Sequence, residues 1–275
     1  MPSFVSHFLA WFYSWFRDRS PAVPLAALEA GEAWPWSISR WGMLIISGAA
    51  IMAAAVTVDS VLPAFHAISN GLSVPVAEVA FAIPVFFVGL SLGQFSWGPW
   101  SDQVGRRLPI ALGFALFALG SILAALAPNF ALFLVARFLQ GLGAAAPYLL
   151  GRALLRDCYK GDDLAWAMAM SSTIFSIGPI IGPLIGWVLM ELFGWRSIFT
   201  FTFLYSLVMI AVITFKMPET LRVSRPLKLE TLMSGCLQVM QNRQSLVFSF
   251  VAAISATSLV GMLSLLPIYY TQVFG

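Results

Sequence analysis

Two side chains carry charge where charge is costly. Asp59 lies near the end of an apolar run that begins at Trp41, and Arg137 lies eight residues past Asn129, where another such run begins. An ionised group inside a lipid-spanning segment costs about 3 kcal/mol or more unless it is paired or hydrated, so each is a candidate for function. A carboxyl group can take up and release a proton, whereas a guanidinium stays charged and can steady an anion. Gln140, one turn past Arg137, can hydrogen-bond a solute or the arginine itself. Plainer readings exist for each: Asp59 as a solvated helix end beside Pro63, and Arg137 as half of a structural salt bridge. Glu78, at the start of the second run, reads as a solvated helix-start charge, and His66 as an outer-loop residue.

Other chemistry finds little support. Cys158 and Cys236 show no metal-ligand spacing to His7 and His66, so no metal site or cofactor is expected, and both cysteines read as structural. Neither paired carboxylates nor a nucleophile with a base occurs, so an enzyme is not expected. The formal charge of +3 is spread over several loops rather than gathered in a patch, which argues against nucleic acid.

The elements that must position Asp59 and Arg137 follow from composition. The 275 residues are 60% hydrophobic and only 10% charged, too few charges for a soluble domain. Seven apolar runs stand out, approximately Trp41 to Leu62, Val79 to Gly98, Pro109 to Ala127, Asn129 to Leu150, Trp166 to Leu189, Trp195 to Phe215 and Leu246 to Tyr270. Each holds about 19 to 25 residues, enough to cross a hydrocarbon core of about 30 Å as a helix. Prolines inside the runs, such as Pro84 and Pro179, predict bends rather than breaks. With the amino terminus inside, all of the 15 Lys and Arg residues except Arg137 and Arg196 fall on the cytoplasmic side. Residues 1–40 form a cytoplasmic extension whose aromatic cluster, Phe4 to Phe16, suits an interfacial helix or a loosely ordered tail. Residues 41–215 form a six-helix transmembrane bundle, 216–243 a central cytoplasmic loop, and 244–275 a seventh helix that opens a truncated second bundle. No cleavable signal is visible.

Three motifs refine this all-α polytopic membrane reading. Gly98, Asp102, Gly105, Arg106 and Arg107 lie between the second and third runs, where a helix-end carboxylate, a turning glycine and paired arginines make a compact loop. Taken alone, such a loop could simply anchor topology. Its order resembles the signature loop of the major facilitator superfamily. Arg137 to Gly141 resembles that superfamily's second signature, in which an intramembrane arginine serves proton coupling. Gly178, Pro179, Gly182, Pro183 and Gly186 resemble the signature of its antiporter branch. Glycines at every fourth position also form a smooth face for close helix contact, with or without a transport role. Gly151 to Asp157, Gly194 to Arg196 and Pro218 to Leu221 narrow the resemblance to the bicyclomycin-resistance type of drug exporter (Bcr/CflA). Gln103, where the family usually has Arg, and Pro147 depart from its pattern and put the substrate in doubt.

The resemblance implies a fold: a major facilitator type amino-terminal bundle of six helices plus a seventh, with the carboxy-terminal half missing. It implies that the first and fourth helices line a central cavity, so that Asp59 and Arg137 could form a switchable ion pair. The expected function is proton-coupled antiport, exporting small amphipathic drug-like compounds from a bacterial inner membrane by alternating access. The partners are then the small-molecule substrate, protons, the lipid bilayer and a second six-helix bundle. A metabolite transporter or an inactive truncated fragment are the alternatives. A seven-helix receptor fits less well, because the basic loops place the amino terminus inside.

Overall fold

The computed structural model describes residues 38–221 and 241–273. Most of the amino-terminal extension, Cys236 and most of the central loop lie outside the described residues. The described chain is helical: α1 Arg40–Asp59, α2 Phe65–Leu72, α3 Val76–Val79, α4 Ala82–Val104, α5 Arg107–Ala125, α6 Phe130–Cys158, α7 Gly161–Phe193, α8 Arg196–Lys216 and α9 Arg243–Val273. A 3-10 turn, Leu62–Ala64, joins α1 to α2. By length and composition six spans could cross a membrane: Arg40–Leu72, Val76–Val104, Arg107–Ala125, Phe130–Cys158, Gly161–Phe193 and Arg196–Lys216. The seventh apolar run is the 31-residue α9, which meets the rest chiefly at α4.

Polar side chains cap the start of two of these helices. The Ser39 hydroxyl accepts from the Gly42 amide at 3.0 Å, and the Asn129 side chain accepts from the Leu132 amide at 2.9 Å, starting α1 and α6. Several helices outrun the apolar runs that announce them. Helix α6 ends at Cys158 where the fourth run ends at Leu150, and α7 starts at Gly161 where the fifth run starts at Trp166. Hydropathy marks only the hydrocarbon-facing part, while beyond it the helix dipole favours charge. Arg156 occupies the last turn of α6, and Asp162 with Asp163 the first turn of α7.

The bundle is organised around α6, which packs most closely against α4 and α5 and also touches α1. Lipid gives no hydrophobic drive to pull helices together, so close backbone approach must do it. Gly89 of α4 faces the Phe138 carbonyl and Gly141 of α6 faces the Phe86 carbonyl, with no room for a methyl at either place. The Trp97 indole then donates to the Leu142 carbonyl at 2.8 Å, clasping the same two helices. Gly141→Val is therefore expected to force α4 off α6 and to cost about 3 kcal/mol, or to prevent folding. Thermal unfolding of the purified protein in detergent would record it as a lowered Tm.

Helix α7 packs differently. Its buried residues form one stripe, Ala167, Ser171, Gly178, Gly182 and Gly186, laid against α1, and most of the rest is exposed. It rests on α1 through these small residues, whereas α4, α5 and α6 pack against one another on several faces.

Candidate functional site

The loop after α4 is the centre of a polar network at the basic end of the bundle. Gly105 ends α4 with φ +107°, a conformation that suits glycine and turns the chain sharply into α5. The turn aims the Arg106 side chain back at α4: it donates to the Ser101 hydroxyl and the Asp102 carboxylate, both at 2.6 Å. Its Nε donates to Asp157 at the end of α6, at 3.0 Å. Burial by itself lowers the Arg106 guanidinium. The charge of Asp157 and the hydrogen bonds to Asp157 and Asp102 outweigh that, holding Arg106 above its ordinary value. Arg106 thus stays a cation at any physiological pH and ties α4, α5 and α6 together.

A second carboxylate completes the network. Glu219, just beyond α8, accepts from the Arg106 amide at 2.8 Å and the Arg107 amide at 3.2 Å. Those amides sit at the start of α5, where helical amides lack partners and the dipole favours an anion. The same carboxylate fills the space a side chain at Gly105 would need. The Arg107 side chain donates to the carbonyls of Ile213 and Thr214 in the last turn of α8. Glu219→Gln is expected to cost about 1 kcal/mol through lost charge at a helix start, and Glu219→Ala about 2 kcal/mol, because the amides lose their acceptor as well. Thermal unfolding of the three proteins side by side would rank them.

Gly98 lies in α4 close to Leu149 of α6, so of the five loop residues it contributes spacing, while Asp102, Gly105, Arg106 and Arg107 make or shape the polar contacts.

Arg137 is fully buried. Its guanidinium donates to Gln140 Oε1 at 2.7 Å and from Nε to the Ala82 carbonyl at 3.3 Å, and lies 4.8 Å from the Phe86 ring centre. Gln140 in turn donates to the Ser121 hydroxyl of α5 at 2.8 Å. One guanidinium nitrogen, Nη2, has no hydrogen-bond partner among the described residues. The side chain therefore points into the seam among α4, α5 and α8, the last contributing Phe199.

Asp59 closes α1 and is also buried, 5% exposed. It sits at the contact with α7, where a methyl added to Gly182 would fall 2.8 Å from its Cβ. One turn on, Gly186 lies against the Ser60 carbonyl, and one turn back Gly178 faces Ala55. The helix continues unbroken through Pro179 and Pro183.

The expected ion pair between Asp59 and Arg137 is not formed in this structure: among the described residues no salt bridge joins them. The physical reason is the facing of the helices. Helix α6 turns Arg137 toward α4 and α5, whereas α1 turns Asp59 toward α7. Glu78 and His66 are both exposed. Asp157, Glu219, Ser121 and Thr220, whose hydroxyl donates to the Asp157 carboxylate at 3.3 Å, were missed by sequence reasoning as members of the polar networks. Asp157, Glu219 and Thr220 stood in the sequence only as parts of family-like motifs; the physical signal for their role was electrostatic, since two consecutive arginines opening a helix leave its first amides in need of an anion.

With this geometry in hand, comparison with known proteins is decisive for the family. The sequence profile of the Major Facilitator Superfamily matches residues 33–275. The chain belongs to this superfamily. A bicyclomycin resistance protein homolog of Haemophilus influenzae is 31% identical over 220 residues, which are 79% of this chain and 55% of that protein. An uncharacterized MFS-type transporter of Bacillus subtilis, YdgK, is 27% identical over 245 residues, 88% of this chain and 61% of that protein. A multidrug resistance protein MdtL of Shewanella is 35% identical over 164 residues, 59% of this chain and 41% of its own length. The chain thus spans little more than half the length of the curated relatives it matches over most of its own length. The human organic anion transporter MFSD10 (TETRAN) shares the fold, with a TM-score of 0.56 over 70% of this chain and 52% of that one, at 17% identity. The chain thus carries part of the fold of a family of multi-pass membrane proteins.

Proposed function

We propose that the protein is a proton-coupled antiporter that exports small amphipathic, drug-like compounds across a bacterial inner membrane, with its basic end in the cytoplasm. The resistance proteins among its relatives support the substrate class, and the concentration of Arg106, Arg107, Arg156, Lys160 and Lys216 at one end supports the orientation. The observation that carries the proton reading is Asp59, a buried acid with no ion pair among the described residues, set at the α1 contact with α7.

A carboxylate in that position is stable only with water around it, whereas the neutral acid packs dry against a glycine. Protonation thereby favours close packing of α1 on α7 and deprotonation favours its hydration. Because α7 is held along one stripe, this seam is the element through which a proton could bias two arrangements of the bundle. The network of Asp102, Arg106, Asp157 and Glu219 holds the opposite, basic end and is the natural cytoplasmic latch. The test is export of a fluorescent amphiphile from proteoliposomes under an imposed pH gradient. The reading predicts uphill movement that collapses with the gradient; movement indifferent to the gradient would sink proton coupling while leaving transport intact.

A further inference from the structure

Arg152, one turn before Arg156 on α6, is used by neither the latch nor the Arg137 cluster. It is exposed, its guanidinium lies 4.6 Å from the ring centre of Tyr148, and Nη2 donates to the Tyr148 hydroxyl at 3.3 Å. Among the described residues it has no carboxylate partner. The Tyr148 ring in turn meets the Phe175 ring of α7 edge-on, with centres 6.1 Å apart.

The packing of α6 says where this group points. Gly141 and Ala145 lie against α4, Gly143 and Ala146 against α5, and Gly151 against Ile51 of α1. Tyr148 and Arg152 take the remaining sector, between α4 and α1, and Phe175 reaches the same sector from α7. Ser172, one turn before Phe175, is exposed beside it. The surface is thus a fixed cation on an aromatic floor with a hydroxyl at its rim, about 22 Å along α6 from Arg137 toward the basic end at 1.5 Å per residue.

We propose that Arg152, Tyr148 and Phe175 form a binding site for the anionic group of an amphipathic molecule, its apolar body lying on the two rings. A guanidinium stacked on a ring keeps its outer donors free and pre-aimed, which suits a carboxylate, sulfonate or phosphate. Rings on two helices give the apolar body a flat, rigid surface at small entropic cost. The inference rests on the transporter reading in one respect, that this face borders a watery path rather than acyl chains. The anion could belong to a dissolved substrate or to a lipid headgroup.

The test is equilibrium binding without any proton gradient, so that its failure is separate from failure of proton coupling. The probes are 2-naphthoate and its neutral analogue 2-naphthamide, offered to the protein in nanodiscs of phosphatidylcholine alone or with phosphatidylglycerol. Naphthoate is expected to bind about tenfold tighter than the amide, and Arg152→Gln to erase the difference. Arg152→Lys keeps the charge without the planar fork and should retain part of it. Unchanged naphthoate affinity in phosphatidylglycerol discs supports a dissolved substrate. Arg152-dependent competition by that lipid supports a headgroup. Equal binding of acid and amide by the wild type, or a preference surviving in a folded Arg152→Gln protein, overturns the site.

Discussion

Replacing Asp59 by Asn is expected to abolish uphill export, with a loss of about 100-fold or more in gradient-driven rate, while downhill exchange of substrate persists. Asn fills nearly the same volume against Gly182 and is always neutral, so α1 can pack on α7 as it does with a protonated acid. What the variant loses is the charged state that asks for water. A merely structural Asp59 would give the opposite pattern, with little change in coupling and a change in Tm. Parallel measurements of gradient-driven export, substrate exchange and Tm on one preparation separate the two.

Arg137 is expected to behave in the reverse way to an ordinary salt-bridge arginine. Among the described residues its buried charge has no carboxylate beside it, and one nitrogen has no partner. Exchanging a buried charge for an apolar group of similar volume is often neutral or stabilising by about 1 to 4 kcal/mol, provided no partner is left unsatisfied. Gln140 would lose its acceptor role in Arg137→Met, so the double change Arg137→Met with Gln140→Leu is the cleaner design. Ser121 still donates to the Phe117 carbonyl at 2.8 Å. The double variant is expected to unfold at the same temperature as the wild type or higher, yet to lose export by about 100-fold or more. Arg137→Ala, which leaves a cavity, should lose both export and about 3 kcal/mol of stability. A double variant that transports normally would show that the cation serves neither fold nor function.

Much of this architecture was legible because lipid imposes simple rules. Apolar length marked the six spanning helices, and the four-residue spacing of Gly178, Gly182 and Gly186 marked the one face of α7 that packs. The loop from Gly98 to Arg107 was legible as a unit because its charges sit where helix ends want them. What could not be read was azimuth. Periodicity places Asp59 and Arg137 in lipid-spanning helices, but which way each side chain faces depends on contacts made by Gly141 with α4 and Gly182 with α1, residues far apart in the chain. Glu219 was hidden for a related reason, since it caps a helix that begins more than a hundred residues earlier.

The proton account comes down to whether the Asp59 carboxyl gains and loses a proton as substrate binds. Infrared difference spectroscopy on the purified protein, with and without an amphipathic substrate, measures this directly. The account predicts a protonated carboxyl C=O band that disappears when substrate binds in the wild type and is missing in Asp59→Asn. The same band persisting in Asp59→Asn, or its insensitivity to substrate in the wild type, would contradict it.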